Sequence, residues 1–395
     1  MLSLLSLFYY VLFHNSTCQA RPEYAVKYNI NRCTTCHVSP TGGGPRNTMG
    51  KTIGAFGYPP NQWNQNDIFG GNIILIYLRP HDARNARGGM GVMNGSAWIN
   101  LKINEETAAN DFRLVAEQNI GGFNAGPRNW FGRWHLARHN ARSWTPEYLM
   151  VGRFVPAFGL MTDEHQTYVR LQTGTPWNTS LDMGILWSGN PTEDLHYDIA
   201  IVNGRKNSGQ GINQGLAEQW GSVLNVRWLS DKWPLMIGAS TSRYPATTLS
   251  GEAKAHSIYA VVSIARWSQN IFPLSVSVEI DRAKNWNSSF APAFVSDPTY
   301  AQNINSTSSE GRYLLADYEF RPYLSLQYKY DELTLNRNFP ADTYRRHGLG
   351  FKYRFDNNAW LMLRAEKALS GHPVEKKGTK FGAQDMVWTV LSVSI

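Results

Sequence analysis

The chain has 395 residues, 38 of them basic against 30 acidic, with only 17% charged residues but 13% aromatics. Its mean hydropathy is negative, and beyond Phe13 no apolar run approaches the roughly 18 residues a helical span needs, which excludes helical membrane crossings. The cysteines, Cys18, Cys33 and Cys36, are too few for a disulfide scaffold, and the basic residues form no tract of the kind that grips nucleic acid. An aromatic-rich, weakly charged chain that is not hydrophobic on average suits a transmembrane β-barrel, in which half of each strand faces lipid and half faces water.

Residues 1–20 read as a secretory signal peptide. The run from Leu2 to Phe13 is apolar, the chain then turns polar, and cleavage is expected after Ala20. A lipoprotein reading of Cys18 lacks the usual Leu three residues earlier. Export leaves Cys33 and Cys36 as the cysteines of the mature chain.

Residues 21–95 read as a small monohaem c-type cytochrome segment. Cys33-Thr-Thr-Cys36-His37 has the spacing of a covalent haem c attachment site. Two thiols separated by two residues reach both vinyl groups of one porphyrin, and the adjacent imidazole lies under the iron as axial ligand. A zinc knuckle would need a second pair of ligands, and a redox disulfide would need a βαβ context. For the distal ligand two candidates stand, Met49 and His81, with Met90 and Met93 further along. A short helix is expected near 46–57, and "GGNIILIYLRP" at 70–80 reads as either an extra strand or a buried segment.

From residue 96 to the end, period-2 alternation recurs with turn chemistry between the runs. "LSVSVEID" puts Leu274, Val276, Val278 and Ile280 on one face and Ser275, Ser277, Glu279 and Asp281 on the other. "YLSLQYKYD" and "LGFKYRF" repeat the pattern. The spacing predicts about 16 strands: 96–104, 111–120, 127–139, 146–156, 163–173, 180–188, 194–203, 217–229, 233–243, 254–266, 271–283, 311–320, 323–331, 343–355, 358–369 and 382–395. Tight connections at 230–232, 321–322 and 356–358 alternate with long ones at 204–216, 284–310, 332–342 and 370–381, the rhythm of periplasmic turns and extracellular loops. The fold class expected is all-β, an antiparallel transmembrane barrel over 96–395 with both termini periplasmic. Arg133, His135, Arg153 and Arg170 are candidate basic residues of the lumen, against the plainer reading of an ordinary charged porin interior.

One haem segment followed by a barrel resembles the fused outer-membrane cytochrome–porins of iron-oxidising bacteria. The likeness rests on Cys33, Cys36, His37 and the following "NTMGKTIGAFGY"; separately, "VGRFVPAFGL" at 151–160 is similar to an element of phosphate-selective-type porins. The resemblance implies an electron conduit in the outer membrane of a Gram-negative bacterium. It would exchange electrons between an extracellular donor or acceptor, such as Fe(II), and a periplasmic c-type cytochrome, which would make it an extracellular one-electron oxidoreductase. The alternative is a solute porin whose haem segment is a plug or redox-sensitive gate. In both readings membrane lipid surrounds the wall.

Overall fold

Alternating side chains make strands because successive Cβ atoms point to opposite faces, and β-branched and aromatic residues pack well on a pleated surface. A computed structural model of the chain describes residues 69–80, 89–102, 112–122, 126–136, 144–160, 182–192, 194–203, 220–230, 235–247, 251–264, 272–284, 308–321, 323–334, 343–355, 359–370 and 385–394, together with Thr167, Val169, Ser268 and Arg337.

Sixteen strands form one sheet. The first eight are β1 (Phe69–Pro80), β2 (Gly89–Lys102), β3 (Phe112–Gly122), β4 (Gly126–His135), β5 (Tyr148–Phe154), β6 (Asp182–Gly189), β7 (Leu195–Val202) and β8 (Gly221–Ser230). The second eight are β9 (Leu235–Thr247), β10 (Gly251–Ser263), β11 (Leu274–Lys284), β12 (Ser308–Arg321), β13 (Leu324–Thr334), β14 (Thr343–Arg354), β15 (Ala359–Ser370) and β16 (Met386–Ser394). Each pairs antiparallel with its sequence neighbours, and β1 pairs with β16 from Asn72↔Ser394 to Pro80↔Met386, so the sheet closes and leaves no edge. A closed wall of this strand number is wide enough to enclose an aqueous channel.

The two faces differ in chemistry. On β11, Leu274, Val276, Val278 and Ile280 face outward while Ser275, Ser277, Glu279 and Asp281 are buried on the inner face. Outward apolar side chains recur around the wall: Ile258, Leu349, Val151 and Ile280 are at least half exposed. Such a continuous apolar exterior around a polar interior inverts a water-soluble protein and matches a lipid-embedded barrel. No helix among the described residues is long and apolar enough to cross a membrane.

Connections at the end where β1 begins and β16 finishes include the tight 231–234, 322–323 and 355–358. The opposite end carries 155–181, 203–220, 285–307 and 371–385. The alternation is not strict, since 123–125 and 248–250 are short at the long end and 136–147 is long at the other.

Three sequence expectations change. β5 pairs directly with β6, so no strand from 163–173 stands between them, and of that stretch the described residues Thr167 and Val169 are fully buried. Its place in the count is taken by β1, the segment left open between strand and buried stretch. The described wall therefore begins at Phe69 rather than at residue 96, with β1 and the first half of β2 lying ahead of that expected start. β1 escaped the alternation test because both its faces are apolar: Ile73 and Tyr77 face out, while Ile74 and Ile76 pack inside against Met386, Trp388 and Val390. The signal peptide and the helix near 46–57 lie outside the described residues.

Candidate functional site

The lumen is shaped by the chain that follows β5. Val155–Leu160 leaves the wall and turns inward, as the sequence "VPAFGL" dictates: Pro156 cannot donate to a strand ladder, and Gly159 sits at φ 64°, the left-handed region that costs other residues strain. Phe158 then packs with Phe154, Leu186, Val202 and Val223, and Leu160 packs with Leu229, Met236, Tyr259 and Tyr313.

Polar anchors fix the segment to the far wall. The Gly159 N–H donates to Ser240 Oγ (2.7 Å), and the Leu160 N–H donates to Glu279 Oε1 (2.8 Å), which also accepts from Ser257 Oγ (2.9 Å). Tyr259 donates its hydroxyl to Asn225 Oδ1 (2.5 Å), and the Asn225 amide reaches Gly159 O at 3.4 Å. Gly238 makes this possible: any Cβ there would collide with the Tyr259 ring.

The inner wall of β13–β15 is a lattice of charge. Asp331 Oδ2 lies 3.0 Å from Lys329 Nζ and 2.7 Å from Arg346 Nη2. Glu366 lies 3.4 Å from Lys329, 3.2 Å from Arg346 and 2.8 Å from Arg364. These side chains are at most 2% exposed. Three cations thus stand around two carboxylates. Nearer the short-connection end, Arg354 pairs with Glu319 (2.6 Å) and Gln327 donates to Asp317 (2.5 Å).

A third group joins β6, β7 and β8. Asp198 accepts from Ser188 Oγ (2.7 Å) and lies 3.1 Å from His196 Nε2 and 3.3 Å from Arg227. His196 Nδ1 faces Asn190 Oδ1 at 2.8 Å. Nucleophilic catalysis needs the serine proton on the imidazole and the carboxylate on its other nitrogen. Here the serine bonds the carboxylate directly, so the group ties strands together.

Of the basic residues singled out in the sequence, Arg133 lies on the inner face beside Tyr148, its guanidinium 6.0 Å from that ring. Arg153 shares its row with Trp130 and Met183, both half exposed, and so falls on the outer face. His135 is the last residue of β4, and its side chain is outside the described residues, as is Arg170. Cys33, Cys36, His37, Met49 and His81 also lie outside them. No cluster of three His, Cys, Asp or Glu suited to a metal ion occurs among the described residues. The lattice was half legible beforehand, since Lys329 and Asp331 stood on the polar side of "YLSLQYKYD"; that Arg346, Arg364 and Glu366 meet them needs the register Asp331↔Arg346 and Gly348↔Glu366.

No family model matches the chain, and no curated protein does. Solved structures do. The outer membrane channel DcaP of Acinetobacter baumannii superposes with a TM-score of 0.56 at 9% identity, over 83% of this chain and 96% of that one. OmpF of Salmonella typhi, in complex with daunomycin, gives 0.56 at 10% identity over 83% and 97%. An anion-selective porin from Comamonas acidovorans gives 0.55 at 12% identity over 83% and 98%. These likenesses establish a porin-type barrel fold.

Proposed function

We propose that the chain is a porin of a Gram-negative outer membrane, and that its N-terminal segment carries one covalent haem c which plugs or gates the pore. Both termini face the periplasm, and the connections 203–220, 285–307 and 371–385 face outward. The observation that carries this reading is an inner wall of charge and hydroxyls with Val155–Leu160 folded across part of the lumen. A wet, narrowed passage is what a solute channel needs.

Support for a plug comes from the seam. Where β1, β15 and β16 meet, the inner face carries Ile74, Ile76, Met386, Trp388 and Val390, each less than a tenth exposed. A covered apolar stretch of inner wall is out of place in a pore filled with water alone. It lies on the very strand into which the segment ending at residue 68 leads. The donor set Cys33, Cys36 and His37 suits haem c in number and type, and the iron would supply a one-electron redox couple.

In planar bilayers the purified full chain is expected to conduct, and its conductance to change between dithionite and ferricyanide. The Cys33→Ala/Cys36→Ala variant should conduct without that change. A wild-type barrel closed to ions in both states overturns the reading.

One sequence observation favours electron transfer: the Cys33–His37 motif itself. In that reading the barrel is an insulated conduit between an extracellular redox partner and a periplasmic cytochrome. Liposomes loaded with a reductant would then reduce an impermeant external acceptor, and His37→Ala would stop them while ion conductance stays near zero throughout.

A further inference from the structure

On the outer face, the charges are gathered at one end. Arg243, Lys254, Arg282, Lys284, Arg312 and Arg345 lie on the outward rows of β9, β10, β11, β12 and β14, all toward the long-connection end. Register makes them neighbours: Arg243↔Lys254↔Lys284, Arg282↔Glu310, and Arg312↔Glu332↔Arg345. Residues opposed in this way sit about 5 Å apart, and the three rows, stepped by two residues along β11 and along β12, make a basic belt across six strands.

Three carboxylates stand among these six cations. Glu252 pairs with Arg243 and with Lys254. Glu310 is gripped by Arg282 (2.9 Å) and Arg312 (2.8 Å), with Arg337 3.6 Å away at the edge. Glu332 lies between Arg312 (3.2 Å) and Arg345 (2.8 Å). The belt keeps an excess of three positive charges. Arg282, Arg312 and Arg345 are 59%, 54% and 53% exposed even while paired; Arg282 and Arg345 reach their carboxylates through Nε, whereas Arg312 spends all three nitrogens on Glu310 and Glu332.

The outer face turns apolar at Ile258 and Ile280, which share the row of Arg312, and one row nearer the barrel's waist it carries Val278 and Leu314. Charge on a lipid-facing wall costs about 2–4 kcal/mol at the midplane and about 0–1 kcal/mol near the interface. The belt therefore marks the headgroup level at this end. The opposite end carries aromatic residues at that level: Phe272 against Tyr318, Phe320, and Tyr353 against Phe355. Arg321 is the exposed guanidinium among these aromatic residues, whereas the long-connection end gathers Arg243, Arg282, Arg312 and Arg345.

Below the end of the belt lies a depression of about 370 Å³ in the wall between β13 and β16. Tyr328, Leu349, Ala365 and Val387 line its waist side, and His347 and Lys367 stand one row closer to the belt, with Asp385 at the rim. The small Ala365 beside Leu349 leaves room for a chain of methylenes under a cationic rim.

We propose that this face binds an anionic membrane lipid, with its phosphate held by the Arg282–Arg312–Arg345 belt and an acyl chain seated in the depression. Planar guanidinium forks match phosphate oxygens two by two, which a neutral zwitterionic headgroup satisfies poorly. The proposal rests on the membrane-embedded reading above, but not on the pore being open.

The test uses the full chain in neutral detergent, offered equal amounts of phosphatidic acid and phosphatidylcholine with identical chains, and the lipid retained after washing is counted by mass spectrometry. Wild type should retain phosphatidic acid about tenfold over phosphatidylcholine. Arg282→Gln/Arg312→Gln/Arg345→Gln should lose the preference, whereas Glu310→Gln, which removes a competing carboxylate, should keep or raise it. Equal retention of both lipids by wild type overturns the proposal, as does an undiminished preference in the triple variant. Displacement by millimolar inorganic phosphate also overturns it, because the belt would then serve a free anion. Should the triple variant fail to fold, loss of the wild-type preference in high salt and its rise in Glu310→Gln decide the matter. Bilayer conductance should be the same in all variants, so a closed wild-type channel would refute the pore while leaving this result standing.

Discussion

Two stretches of the inner wall hold their surroundings by opposite means. Over β8–β12, the wall seats Val155–Leu160 through apolar packing and a few directed bonds, with Glu279 as the charged acceptor. Over β13–β15, five charged side chains form a lattice with no exposed member. Apolar seats degrade gradually, because each contact is small and independent. A buried charge lattice does not, because removing one member strands the others.

The sharpest break of this comparison is Asp331→Ala. It leaves Lys329 and Arg346 facing each other with Glu366 as their remaining shared carboxylate, and loss of a buried partner typically costs about 3–5 kcal/mol. The folded barrel should unfold at markedly lower denaturant than wild type; a loss under about 1 kcal/mol would show that the lattice behaves like a surface network instead.

Next comes Glu279→Ala. It withdraws the acceptor from the Leu160 N–H and from Ser257, bonds to a charged group worth about 1.5–3 kcal/mol. Here the expected outcome is a mobile inner segment more than an unfolded barrel, seen as flickering single-channel current. Glu279→Gln keeps one acceptor oxygen and should lie between the two. Gly159→Ala acts on the same segment through its backbone, at about 1–2 kcal/mol for a left-handed position, and should produce weaker flicker.

The sequence told most where each strand has one wet and one greasy face. β11, β13 and β14 stand where alternation put them, because Ser277, Glu279, Lys329 and Asp331 interrupt the apolar residues at every second position. It misled where that physics fails. At 163–173 the described residues Thr167 and Val169 are fully buried, and Val169 packs in the inner cluster with Leu160 and Tyr259, so an apolar residue inside the wall gave the same signal as one on a strand. At β1 the apolar inner face of the seam erased the signal altogether. Inner charges were legible as a class, but their grouping was not, since Asp331 and Arg346 meet through pairing between strands. For the outer belt, Arg282, Arg312 and Arg345 read in isolation are ordinary strand-end charges; only register aligns them.

The smallest effect tests the border between the two kinds of wall. Lys352 sits 4.6 Å above the Trp360 ring, just where the lattice gives way to the apolar seam of Trp360, Met362 and Trp388. Lys352→Met keeps most of the side-chain volume and removes the charge, so what is lost is chiefly the attraction between ammonium and ring, about 0.5–1 kcal/mol at a partly exposed site. Denaturant unfolding should shift by no more than that. A shift of several kcal/mol would mean that the ammonium also serves the carboxylates, extending the all-or-none behaviour of the lattice into the seam. A shift of zero would mean that the seam tolerates either residue as plain packing.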